Sequence, residues 1–308
     1  MMKKMSIVLV FCMIFTLFSP KNVSASTDSL NKEEIKNMLK NNPNTVHGSV
    51  TELELITQTL NSFDNELEKT LFKRNLNNQL SRLATNSTSD LMSKGYSLKE
   101  ANDIQKYKST DSAIDYITTY GLSNATLSYQ YLIHSGTHDG FYVNFIATWN
   151  QCPMFCISDT IGVGFLASTS YSSTVNLTYA KDPWGSVDYY VSGSTDTYLY
   201  CNNFTPGKGD TTGVKHKFYM SDDRNDSYAK EIYIGASLRT VSGSNNIDNV
   251  TICVGYSHCV VNFFPSGLSF SSSGMSIGVS AAYGTEELIS DSHTFPYNSW
   301  DTIYGTEK

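Results

Sequence analysis

The sequence predicts an α+β protein: a helical N-terminal region followed by an antiparallel all-β domain, either a sandwich or a barrel. Two observations carry this expectation. Up to about residue 124 the apolar residues recur at spacings of three and four, and from Ala125 onward they recur at every second position. No helical pattern interrupts the later runs, which argues against alternating β/α units.

The first element is a leader. Lys3 and Lys4 precede the apolar run Ile7 to Phe18, and Val23-Ser24-Ala25 supplies the small residues of a cleavage site. This predicts a signal peptide over residues 1–25, cut after Ala25, and a secreted, extracellular product. The apolar run is shorter than the ~20 residues that span a bilayer. Cys12 lies inside it behind Phe11, so the lipoprotein pattern is not met.

Residues 26–124 read as a helical region. Leu53, Ile56, Leu60, Phe63 and Leu67 form one stripe, continued by Leu76, Leu80 and Leu83 after a shift at Leu71-Phe72. The stripe predicts one helix of roughly 30 residues. The polar run Leu83 to Asp90 reads as a break. A second helix is expected from Ser97, where Ser97-Leu98-Lys99-Glu100 has capping-box spacing. A third, from Asp111 to Tyr120, is expected to stop at Gly121. A small helical bundle is the preferred reading, and a pro-segment or coiled-coil partner surface the alternative.

Residues 125–308 read as about twelve short strands with polar turns. The first three runs hold Leu127 to Ile133, Phe141 to Trp149 and Ile161 to Phe165. Val175, Leu177 and Tyr179 are expected to face Val187, Tyr189 and Val191 across "AKDPWG". Ile232 to Leu238 and Val250 to Val254 follow, then a hairpin of Leu268 and Phe270 with Met275, Ile277 and Val279 around "SSSG".

The formal charge of −7 is unevenly spread. The leader carries +3, residues 26–124 carry −2 and residues 125–308 carry −8. That distribution argues against nucleic acid and against docking on anionic lipid, both of which reward Lys/Arg clusters. An Asn-, Lys-, Ser- and Tyr-heavy composition points to a Gram-positive-type bacterial source.

The motif most suggestive of chemistry is Gly255-Tyr256-Ser257-His258-Cys259. It resembles a nucleophile elbow, but Cys259 replaces the second glycine and Pro265 follows where a helix would be needed. A Cys–His pair is disfavoured because neighbouring strand residues point to opposite faces. A metal site would draw on Cys152, Cys156, Cys253 and Cys259, yet C-x3-C and C-x5-C are not zinc-knuckle spacings. A hairpin turning at Gly255-Tyr256-Ser257 would set Cys253 opposite Cys259, so these four cysteines are the disulfide candidates and Cys201 is odd.

Weaker ligand candidates are His134, His138 and Asp139 around one turn, and Asp222, Asp223 and Asp226 in one acidic loop. Turn chemistry and solvation explain both at least as well. Paired carboxylates for glycoside hydrolysis are not evident. Asp159, flanked by apolar sequence, reads as a turn cap. With no coherent catalytic set, the leading expectation is an exported, non-enzymatic binding or interaction protein. It needs no cofactor, and its ligand is an extracellular protein or carbohydrate. The alternative is a membrane-active toxin or bacteriocin precursor, with hairpins 171–192 and 266–282 forming a transmembrane barrel. A secreted hydrolase is third.

Overall fold

The structure is a computed structural model. It describes residues 32–63, 65–137, 139–172, 174–191, 197–208, 213–222, 227–241, 246–259, 265–270, 277–281 and 288–299. The chain divides into two compact units, residues 1–37 and 38–308. Of the first, residues 32–37 are described, as the start of helix α1 (Lys32–Asn41).

The second unit is mixed α+β with a sandwich-like arrangement of antiparallel sheets. Strand β1 (Val46–Thr51) lies where only helix was expected, between Pro43 and the first apolar stripe. It pairs along its whole length with β2 (Thr126–Thr137). Gly48 permits this, because a Cβ there would fall 2.1 Å from the Tyr129 ring.

Thr51 ends β1 and caps helix α2 (Glu52–Ser62), with Glu54 completing the capping box. The expected single long helix is two. Asn65 accepts from Leu67 N–H and starts α3 (Glu66–Ala84), which buries Phe72, Leu76 and Leu80. The N-cap restarts the helical phase, so Leu67 is 64 % exposed although it continues the first stripe.

The expected break at 83–90 holds a second N-cap. Ser87 and Asp90 form a capping box that opens the short helix α4 (Thr88–Ser93). Ser97 and Glu100 form another at the head of α5 (Leu98–Lys106). Helix α6 (Ala113–Tyr120) stops at Gly121, whose φ of 61° is left-handed.

The larger sheet runs β1-β2-β3-β11-β6-β7, where β3 is Gly140–Trp149, β6 Trp184–Val191, β7 Thr197–Phe204 and β11 Ser227–Thr240. Two short strands, β5 (Leu177–Tyr179) and β10 (Ser221–Asp222), also pair with β11. The second sheet runs β15-β12-β4-β9-β8: Leu288–Pro296, Asn249–His258, Ser158–Ser168, Gly213–Tyr219 and Gly207–Lys208.

The expected hairpin between 175–179 and 187–191 does not form. β5 pairs with 238–240 of β11 and β6 with 227–235, running in the same direction, so they are one interrupted strand. Pro183, which has no N–H to offer a ladder, sits in the interruption.

Aromatic contacts join the two sheets: Phe141 to Phe165 at 6.4 Å and Tyr131 to Phe295 at 6.2 Å between ring centroids. β13 (Pro265–Phe270) and β14 (Ile277–Ala281) pair with each other as a separate two-stranded sheet, as the alternation there predicts. Helices α2 to α6 share one apolar core with Met154 and Phe155, from the loop between β3 and β4.

Candidate functional site

The run around "VGYSHC" is not a hairpin. Asn249–His258 is one continuous strand, laddered to β15 on one side and β4 on the other. Gly255, Tyr256 and Ser257 all lie within both ladders. Every residue from Ile252 to Cys259 is buried, so a turn there would strip two rows of hydrogen bonds from the interior. Cys253 and Cys259 are thus six residues apart on an extended strand, about 20 Å. A disulfide needs Cα atoms within roughly 7 Å. The expected Cys253–Cys259 bridge is therefore incompatible with this strand.

The strand serves a different purpose. His258 lies opposite Asp159 in the β12–β4 register, and its Nδ1 is 3.0 Å from both carboxylate oxygens. Its Nε2 is 3.3 Å from Glu52 Oε1, at the first turn of α2. The side chains of all three are 0 % exposed.

Asp159 also accepts from the Cys259 N–H at 3.2 Å and from the Tyr256 hydroxyl, which in turn accepts from Trp149 Nε1 at 3.0 Å. Glu52 accepts from the Met154 and Phe155 N–H groups, both at 2.8 Å. Burial opposes a charge on His258, but the Asp159 carboxylate and then Glu52 outweigh it and push the imidazole up to about 10. Burial and the Asp159 charge hold Tyr256 well above the usual phenol range.

An Asp–His pair is two-thirds of a nucleophilic triad, but here the far nitrogen faces a second carboxylate rather than a hydroxyl or thiol. An imidazolium held at both ends has no lone pair with which to act as a base, and its cavity is closed to substrate. The arrangement is an ionic clamp. It ties α2, the β3–β4 loop, β4 and β12 together.

Beside the clamp the loop "CPMFC" borders an open cleft of about 370 Å³, lined also by Arg82, Lys94 and Tyr96. Cys152 Sγ and Cys156 Sγ stand 3.5 Å apart and both contact the Pro153 carbonyl. Contact with the Cys152 thiol, then burial, raises the Cys156 thiol well above its usual range. Among the described cysteines no disulfide is formed.

His134 belongs to a second buried polar chain. It bonds Asn144, which accepts from the Tyr233 hydroxyl, and that oxygen accepts from Trp184 Nε1 at 2.8 Å. Its ring stacks on Tyr142 at 5.1 Å. Burial lowers it to about 3, so it is neutral. Asp139 sits in the turn after β2, where its carbonyl accepts from Thr240 N–H. Asp222 pairs through its backbone with Ser227. His138, Asp223 and Asp226 lie outside the described residues. Among the described residues no three His, Cys, Asp or Glu side chains are grouped to hold a metal.

An open cleft of about 690 Å³ lies elsewhere, between residues 169–172 and 174–176 on one side and Val241, Asn246 and Asp248 on the other. Its rim includes Tyr171, 99 % exposed, and Val241, 64 % exposed.

Sequence reasoning missed the clamp. Glu52 and His258 are 206 residues apart, and Asp159 is a strand residue rather than a turn cap. An isolated acid within an apolar strand was the one signal that could have exposed it.

No family model matches the chain, and no curated protein matches it. Among solved structures, the chain is similar to ACE19, the collagen binding subdomain of the Enterococcus faecalis surface protein ACE. Identity is 9 %, covering 54 % of this chain and 92 % of that one, with a TM-score of 0.25. AvmM, which catalyses macrocyclization in alchivemycin A biosynthesis, matches at 8 % identity over 57 % and 91 %, with a TM-score of 0.24. The Clostridium perfringens NetB toxin in its membrane inserted form matches at 10 % identity over 56 % and 91 %, with a TM-score of 0.19. Likenesses this distant fix neither a family nor an activity for the chain.

Proposed function

We propose that this chain is a non-enzymatic binding protein that acts outside the cell. The observation that carries the reading is the contrast between its two polar centres. The groups that acid–base chemistry would use, Glu52, Asp159 and His258, are sealed from solvent and satisfied by one another. The cleft beside Tyr171 instead opens to solvent and is lined by hydroxyl and carboxamide side chains. Secretion rests on the leader-like residues 1–25.

Helices α2 to α6 share a core with the β3–β4 loop, and α2 shares the clamp with β4 and β12. On this reading the mature chain keeps α2 to α6, because the loss of α2 would leave His258 and Asp159 uncovered. The test is to incubate the purified mature protein with soluble glycans and extracellular-matrix proteins, then recover each bound ligand for mass analysis. A ligand returned chemically unchanged supports the reading. A ligand returned cleaved or rearranged overturns it in favour of an enzyme.

A second reading, membrane activity, is favoured by the Pro265–Phe270 and Ile277–Ala281 pair, which forms a sheet of its own. Dye release from liposomes at nanomolar protein would establish it, and intact liposomes at micromolar protein would dismiss it.

A further inference from the structure

The cleft lined by residues 169–172 and 174–176 on one side and by Val241, Asn246 and Asp248 on the other combines three features that the fold itself does not require. The first is a large side chain held out in water. Tyr171 is 99 % exposed. It is not on a loose tip, because Thr169 and Ser172 form a β-bridge around it, with N–H···O distances of 2.9 and 3.3 Å. The Thr169 hydroxyl accepts from the Tyr171 and Ser172 N–H groups at 3.2 and 3.0 Å. A rigid turn that presents an aromatic ring to solvent gains nothing in stability from that ring. It does lower the entropy lost when the ring is covered by a ligand.

The second feature is anchorage. Asp248 accepts from the Ser170 N–H, and from its hydroxyl at 2.5 Å. The backbone of Asp248 is tied to β4 through Ser168 and to Tyr297, and Val241 N–H donates to Asn176 at 3.0 Å. Ser170, Asn176, Val241 and Asp248 are therefore tied to one another and to the end of β4, as a site on a rigid scaffold requires.

The third is the chemistry of the lining. Ser170, Ser172, Thr174, Asn176 and Asn246 offer neutral donors and acceptors. Asp248 is the one charged residue among the described lining, and its carboxylate is engaged by Ser170. Among the described lining residues there is no Lys, Arg or His to hold a phosphate, a sulfate or an acidic sugar.

We infer that this cleft binds a neutral sugar, with the Tyr171 ring stacked against a pyranose C–H face and the hydroxyl and carboxamide groups reading its equatorial hydroxyls. A pyranose offers an apolar face and a polar edge, and this cleft offers a ring and a polar wall. Val241, 64 % exposed, lines the same cleft and offers a second apolar side chain, which suits an oligosaccharide. The inference rests on the reading of the chain as a binding protein and names its ligand class.

The test uses the full mature chain on an array of neutral oligosaccharides built from glucose, galactose, mannose and N-acetylglucosamine. The best binder is then titrated by calorimetry. The wild type is expected to bind, Tyr171→Ala to weaken binding tenfold or more, and Tyr171→Phe to keep most of it, since the ring and not the hydroxyl does the stacking. Tyr198→Ala, at an exposed tyrosine on β7, is expected to change nothing. Unchanged thermal melting of each variant separates lost binding from lost folding.

Sugar binding that survives Tyr171→Ala overturns this site while leaving the binding-protein reading intact. No affinity for any neutral glycan, with affinity for a protein or for phosphatidylcholine vesicles instead, overturns the sugar assignment. A glycan bound through Tyr171 but returned cleaved upholds the site and overturns the non-enzymatic reading.

Discussion

His258 and Asp159 face each other across adjacent antiparallel strands, with imidazole Nδ1 3.0 Å from both carboxylate oxygens. The pair sits at the end of β12, where the strand leaves both ladders and the next N–H, that of Cys259, turns onto the same carboxylate. Glu52 closes the other side from 206 residues away. A buried base between two acids makes the stability of the fold depend on protonation, in a direction fixed by the sign of the shift.

For His258 the folded value, about 10, lies above the ordinary 6.5 of an unfolded histidine. Its contribution is therefore fully present below pH 6.5 and is lost as pH rises toward 10. Thermal melting is expected to fall over that window, with a slope of at most about 1.4 kcal/mol per pH unit. His258→Gln should lower stability by about 3–5 kcal/mol near pH 6 and flatten the alkaline slope. A variant that keeps the wild-type slope would show that the clamp does not carry the charge.

His134 titrates in the opposite sense. Its folded value is near 3, below the unfolded 6.5, so the neutral ring contributes stability that is present above pH 6.5. That contribution is lost as pH falls toward 3, because the unfolded chain takes up the proton first. His134→Gln, which can still bond Asn144, is expected to flatten the acid slope without altering the alkaline one. Melting curves from pH 3 to 10 for both proteins decide this.

Glu52 does two jobs, accepting from two backbone N–H groups of the "CPMFC" loop and facing His258. Glu52→Ala is expected to cost about 3–5 kcal/mol, since it leaves two buried N–H donors unsatisfied and takes away one of the two carboxylates that face His258. Glu52→Gln keeps an acceptor and should cost less. Chemical denaturation that ranks them the other way would remove Glu52 from the clamp.

Cys152 and Cys156 are expected to form a disulfide under mild oxidation. The two thiols give up two protons and two electrons to glutathione disulfide, which leaves as two glutathione molecules. The sulfurs need to close from 3.5 Å to about 2.05 Å. Mass spectrometry of alkylated protein should show two fewer reactive thiols after oxidation, an effect abolished by Cys152→Ser. Loss of the Cys253 and Cys259 thiols instead would contradict β12 as a continuous strand.

Secreted mass provides a further check. Cleavage after Ala25 with residues 26–308 intact is the expected product. A shorter species beginning near residue 125 would show that the strand-rich part stands without α2 to α6, against the shared core.

The sequence by itself determined the features that need only neighbours. Ser97 and Glu100 lie one helical turn apart and cap α5, and Gly121 adopts the left-handed conformation that ends α6. Period-two alternation marked most strands, because each has a side facing the opposite sheet. Where several local solutions competed, the sequence misled. Gly255-Tyr256-Ser257 reads as a turn, but two flanking strands absorb it into a ladder. Residues 175–179 and 187–191 read as the two arms of a hairpin, but β11 aligns both strands along its own edge.

The clamp was decided by tertiary structure alone. Asp159 reads as a turn cap and His258 as part of a hairpin, and apart from the apolar neighbours of Asp159 nothing local sets these two or Glu52 apart from other residues of their kind. They become one unit when the sheet register and the packing of α2 remove water from all three. Each carboxylate then has only the imidazolium, and a few backbone and hydroxyl donors, in place of water.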